Sequence, residues 1–135
     1  MNWYLKVIRN YAVFTGRARR KEFWMFMLFN MIFILIVEII GTIIFMVLTS
    51  VGVDILYSYM VNMIIIPIYL LAIFIPSLAV SVRRLHDLGK SGWYMLLPLI
   101  PIVGFFWLMV LFCFDSEPLE NEYGNNPKDD SYIKE

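Results

Sequence analysis

Residues 23–48, FWMFMLFNMIFILIVEIIGTIIFMVL, decide what kind of protein this is. The run is 26 residues long and apolar apart from Asn30, Glu38 and Thr42. Wound as a helix it is about 39 Å long, against a bilayer hydrocarbon core of about 30 Å, so it crosses with tilt or overhang. A cleavable signal is not expected here, because the apolar run far exceeds the 7–15 residues of such signals and no small-x-small site follows it.

Outward from this run the same composition continues. TSVGVD, residues 49–54, breaks it with a glycine and an aspartate and makes a short connection. A second apolar run covers residues 55–82 and contains Pro67 and Pro76, which deprive the carbonyls of Met63 and Ala72 of their helical donors and predict kinks. A third covers 93–114 and carries Pro98, Pro101 and Gly104. Its length suits one crossing; a re-entrant hairpin turning at LIPIVG is the alternative, with arms too short to cross. Hydrophobic residues make up 61% of the 135-residue chain and mean hydropathy is +0.73, well beyond what a soluble domain can hide.

Eleven basic and eleven acidic residues cancel, but they are segregated. Six Lys and Arg precede the first run, none lies between the first two, Arg83, Arg84 and Lys90 lie between the second and third, and seven Asp and Glu follow residue 114. The positive-inside rule then places the N-terminus and residues 83–92 in the cytoplasm. Three crossings put the acidic tail outside, whereas a hairpin returns it inside. Trp3, Trp24, Tyr57, Tyr59, Trp93 and Tyr94 fall near the run boundaries, where such rings settle.

The expected architecture is an all-α membrane protein: a bundle of three transmembrane helices with an amphipathic, interfacial N-terminal helix. Residues 1–22 form a cytoplasmic arm, 23–114 the three-span domain with spans near 23–48, 55–82 and 93–114 and a basic loop at 83–92, and 115–135 a polar acidic tail. In the arm, Trp3, Tyr4, Val7, Ile8, Tyr11 and Phe14 recur at helical spacing opposite Lys6, Arg9 and Asn10. Thr15 is positioned to cap a following helix. RARRK, residues 17–21, adjoins a span and reads as an anchor on anionic lipid rather than a nucleic-acid patch, each charge contributing about 1 kcal/mol.

RRLHDLGKSGW, residues 83–93, is the most chemically varied stretch. GKS at 89–91 is not a phosphate-binding loop, since Arg84 stands where its first glycine belongs. His86 and Asp87 are sequence neighbours whose side chains diverge on a helix, and with Ser91 they form no triad. One histidine and one cysteine, Cys113, leave no transition-metal set and no intrachain disulfide. No catalytic residue, metal site or cofactor is assigned, and the chain is expected not to be an enzyme.

Two site readings remain. Arg17, Arg19, Arg20, Arg83 and Arg84 are candidates for anionic headgroups or a membrane-protein partner, including another copy of the chain, with an Arg83–Asp87 pair at i, i+4 and DLG as a helix stop. Asn30, Glu38, Asn62, Ser77 and Ser81 are candidates for an intramembrane polar seam of a transporter or channel component. Glu38 is the ionisable residue deepest in a span, where an ionised group costs at least about 2.5 kcal/mol, unless tilt brings it to the outer headgroups. The serines serve helix packing equally well.

FTGRARRKEFW, SVRRLHDLGKSGWYMLL and NEYGNNP together resemble the small bacterial inner-membrane proteins of the YhaH and YhaI type, a family of unknown function, over nearly the whole chain. The resemblance implies a bacterial inner membrane and a helical fold of a few spans, with no activity, substrate or cofactor attached.

Overall fold

A computed structural model describes residues 2–128; Met1 and the end of the tail, residues 129–135, lie outside the described residues. Among those described, four α-helices and one 3-10 helix follow one another: α1 (Asn2–Arg9), α2 (Arg20–Ser50), α3 (Ile55–His86), the 3-10 helix (Gly92–Leu99) and α4 (Val103–Cys113). The chain divides into two compact units, Met27–Ile75 and Met1–Phe26 with Pro76–Glu135. Two of the helices, α2 with 31 residues and α3 with 32, are long and apolar enough to cross a membrane.

The unit Met27–Ile75 is a helical hairpin whose turn is written in VGVD. Gly52 takes φ +85° and ends α2 in a Schellman motif, with Gly52 N–H donating to the Thr49 carbonyl (3.2 Å) and Val53 N–H to that of Leu48 (3.0 Å). Asp54 then caps α3, its Oδ1 accepting from the amides of Leu56 (2.9 Å) and Tyr57 (3.3 Å). Gly41 lets the two helices approach, for a Cβ there would lie 2.2 Å from Asn62 Oδ1. Most large apolar side chains of this unit are exposed and none is buried, and α3 passes through Pro67 without a break.

The other unit holds the apolar core: Val7, Ala18, Phe23, Phe26, Ala79, Val80, Leu85, Leu108, Leu111 and Phe112. Phe26 stacks on Tyr4 at 5.4 Å between centroids, and Phe23 meets Phe112 at 4.3 Å. The arm's helix stops at Arg9, so Tyr11 and Phe14 lie beyond it, and Thr15 starts no helix. Instead Gly16 turns the chain at φ +82°, and residues 17–19 run beside the end of α3, where Ala18 N–H donates to the Arg83 carbonyl (3.0 Å). Helix α3 continues to His86, which makes Arg83 and Arg84 helical rather than part of a loop. It then ends at Gly89 in a second Schellman motif, Lys90 N–H donating to Leu85 (2.9 Å) and Gly89 N–H to His86 (3.0 Å).

The third apolar run is not the single 22-residue helix expected of it. The 3-10 helix, capped by Ser91, ends near Pro98, and a γ-turn follows in which Ile102 takes φ 65° while Val103 N–H donates to the Pro101 carbonyl (2.8 Å). Two prolines within four positions remove the donors a continuous helix would need. Gly92 lies against Val82 and His86 of α3, and the Phe112 and Phe114 carbonyls lie on Arg84 of the same helix, so the segment leaves and returns at one end of α3. Each arm is about 16 Å long. This is the hairpin geometry, and the tail starts beside the basic stretch rather than opposite it.

The arms meet where Gly104 faces the backbone of Leu97: a Cβ on Gly104 would stand 1.7 Å from the Leu97 carbonyl oxygen. Gly104→Ala is therefore expected to destabilise the hairpin by about 1–3 kcal/mol, seen as a lower melting temperature in detergent. An unchanged melt would mean that the arms do not touch there.

Candidate functional site

Two arginines of the motifs, Arg17 and Arg84, converge at the end of α3 on the carboxylate of Asp87. Arg17 Nε donates to Asp87 Oδ1 at 3.0 Å, Arg84 Nη1 donates to Oδ2, and the Ser116 hydroxyl donates to Oδ2 at 2.5 Å. Both guanidinium groups and the carboxylate are buried. Arg84 thus pairs with Asp87 at i, i+3, where an Arg83–Asp87 pair at i, i+4 was expected.

Arg17 places all five of its N–H donors. Besides Asp87 Oδ1, it donates to the carbonyls of Asp87 (3.4 Å), Glu117 (2.6 Å), Leu119 (2.8 Å) and Gly124 (3.1 Å). Three of these acceptors belong to the tail, which is thereby folded onto the end of α3. Asn121 adds a bond from Nδ2 to the His86 carbonyl (2.9 Å), and Tyr123 stacks on the His86 ring at 3.8 Å. His86 Nδ1 lies 3.3 Å from the Gly16 carbonyl.

A second buried carboxylate, Glu22, binds Arg83 Nη1 (3.0 Å) and Lys6 Nζ (2.8 Å), tying α1 and α3 to the first turn of α2. Arg83 Nε and Nη2 find no acceptor among the described residues. The last carbonyls of α4, left without helical donors, supply acceptors elsewhere: Phe112 and Phe114 for Arg84, and Cys113 for Arg20 Nη1 (3.3 Å). Cations at that end also meet the negative pole of the α4 dipole.

Of the five arginines singled out in the sequence, Arg17, Arg83 and Arg84 are therefore engaged inside the fold, and Arg19 and Arg20 face outward to different degrees. Arg19 lies over the Trp3 ring at 5.7 Å. With exposed Lys21, Asp115 and Lys128 they line a recess of about 350 Å³. Lys128 pairs with Asp115, and this bond, with that from the Ser116 amide, holds the Asp115 carboxyl below its usual range. Lys21 was read with RARRK, whereas Asp115 and Lys128 escaped sequence reasoning because only the tail's return brings them to Arg20. Glu22 carried a signal, as the lone acid closing RARRKE.

The polar-seam residues do not share one setting. Asn30, Glu38 and Asn62 belong to one unit, Ser77 and Ser81 to the other. Asn30 Oδ1 accepts from the Tyr69 hydroxyl (2.8 Å), Asn62 packs on Gly41, and the Ser81 hydroxyl donates to the Ser77 carbonyl (2.7 Å). Glu38 is exposed, in a recess otherwise lined by Met31, Ile32, Ile34, Leu35 and Ile66. Among the described residues no group of His, Cys, Asp and Glu has the arrangement of a metal site.

Asp87→Asn removes the anion that Arg17 and Arg84 share. Breaking a buried pair by deleting one partner costs about 3–5 kcal/mol, so the variant should melt lower and its tail should be cut by protease in the 115–125 region faster than in the native protein. A tail equally resistant in the variant would show that Asp87 does not hold it.

The DUF805 family, protein of unknown function, matches residues 11–125. The chain is 44% identical over 128 residues to Inner membrane protein YhaI of Escherichia coli (strain K12), covering 95% of this chain and 97% of that one. To Inner membrane protein YhaH of the same strain it is 41% identical over 128 residues, covering 95% and 98%. No solved structure matches it. Two long apolar helices and these full-length relatives make the chain an inner-membrane protein belonging to the DUF805 family.

Proposed function

We propose that this protein is a non-enzymatic, two-pass inner-membrane protein that holds its N-terminus and its tail in the cytoplasm and engages anionic lipid headgroups through exposed basic residues at that face. α2 and α3 cross, and the third apolar segment dips into the cytoplasmic leaflet and returns. Basic residues precede α2 and end α3, and none lies in residues 51–54, which sets the orientation.

The division among the basic residues carries the lipid reading. Arg17, Arg83 and Arg84 are buried on internal acceptors, while Arg20 and Lys21 stand exposed within three positions of Phe23, where the apolar run of α2 begins. Their charges lie at headgroup depth, where each contributes about 1 kcal/mol toward anionic lipid. The residues of the most varied motif have structural uses that support a non-catalytic role: Ser91 caps the 3-10 helix and His86 is stacked beneath Tyr123. Nothing in the surroundings of Glu38 favours a transport path over this reading.

Two measurements test it. With Cys113 replaced by serine, a cysteine at Val51 should react with an impermeant maleimide from the periplasmic side, and one at Glu120 should react only after lysis; labelling of Glu120→Cys in intact spheroplasts would overturn the two-pass topology. Arg19→Gln, Arg20→Gln and Lys21→Gln together should reduce retention of phosphatidylglycerol over phosphatidylcholine by roughly a hundredfold, at about 1 kcal/mol per charge. Unchanged retention by correctly inserted protein would overturn the lipid role.

A further inference from the structure

We infer that the recess lined by Arg19, Arg20, Lys21, Asp115 and Lys128 is a defined site for one phosphate-bearing headgroup, and that the Lys128–Asp115 pair is its internal counter-ion. The inference rests on the reading that the cytoplasmic basic rim meets anionic lipid, and narrows it from a charged surface to one stoichiometric site.

Four cations and one carboxylate line the recess, an excess that suits a phosphomonoester bearing up to two negative charges. A phosphate there would also stand beside the first turn of a 31-residue helix, whose leading amides and dipole favour an anion. Fixed groups hold the recess in shape. Arg20 is tethered by the Cys113 carbonyl, Arg19 lies against Trp3, and the tail that delivers Asp115 and Lys128 is held by Arg17.

The chain's direction argues for a lipid. Arg20 and Lys21 precede Phe23 by three and two residues, and Asp115 directly follows Phe114, which is exposed. Both segments that build the recess therefore pass straight into apolar sequence, so a headgroup seated in it has its acyl chains beside surface that suits them.

Asp115 makes the inference separable from general surface charge. A phosphate must compete with Asp115 for Lys128, so Asp115→Asn should strengthen binding severalfold, whereas a pair that merely holds the tail would, when broken, weaken it. Native mass spectrometry of the detergent-purified full chain titrated with dioleoyl phosphatidic acid reads this directly, with inorganic phosphate as a competitor. The expected result is one tightly retained lipid, lost about tenfold or more in Lys128→Gln and retained within twofold in Lys90→Gln, which removes an exposed lysine outside the recess. Displacement by millimolar inorganic phosphate would identify a soluble phosphate as the ligand of the same site; its failure to displace identifies the lipid. Equal losses in Lys128→Gln and Lys90→Gln, or weaker binding in Asp115→Asn, would overturn the site while leaving the lipid-facing rim intact. Lipid retention unmoved by any of these and by the Arg19, Arg20 and Lys21 replacements would overturn both.

Discussion

The fold of the Met1–Phe26 and Pro76–Glu135 unit depends on one buried carboxylate shared by two guanidinium groups. Burying any of these ions alone would cost several kcal/mol. Asp87 between Arg17 and Arg84 avoids that cost only while Ser116 and the surrounding carbonyls occupy the remaining donors and acceptors. The cluster is therefore a strong geometric constraint, whatever its net contribution to stability. It restricts how the end of α3, the segment after Gly16 and the start of the tail can be arranged, because each must present polar groups to the same ion cluster.

The return of the third apolar segment follows from the same requirement. α4 ends with carbonyls that no further helical turn satisfies, and buried Arg84 has donors beyond those that Asp87 can accept. Each deficit answers the other when the end of α4 is brought to α3. A straight 22-residue helix would leave both unmet, besides forcing Pro98 and Pro101 into its interior. In the Met27–Ile75 unit the polar demands are few, a Schellman turn, an aspartate cap and the Tyr69–Asn30 bond, and the outward apolar side chains suit a bilayer as solvent.

Much of this was legible in the residues. The length and apolarity of 23–48 and 55–82 point to two spans, VGVD to their turn, and DLG to the end of α3. The third run reads as a span because its 22 residues suit one crossing; what breaks it into two short helices is Gly104 meeting Leu97 and the γ-turn at Ile102, both matters of backbone geometry. The arginine motifs were visible as motifs, but their partners were not. Asp87 lies three residues from Arg84 and four from Arg83, so local spacing allowed either pair. The choice was made by Glu22, 61 residues from Arg83, and by Arg17, 70 residues from Asp87.

Two clusters with opposite environments thus sit in one sequence of similar residues. In RARRK, Arg17 is inside and saturated with acceptors while Arg20 and Lys21, three and four positions later, are outside. The change occurs because residues 17–19 are not helical: the chain lies along α3 at Arg17 and Ala18 and then starts α2 at Arg20, which redirects the following side chains outward. A lysine at 17 could carry the charge but not five directed donors, so it could not hold three tail carbonyls and Asp87 together. The tail's position depends on that fork, and the tail in turn brings Asp115 and Lys128 to the outward-facing cations. An internal ion cluster and an external basic recess are in this way successive consequences of where a single arginine side chain is placed.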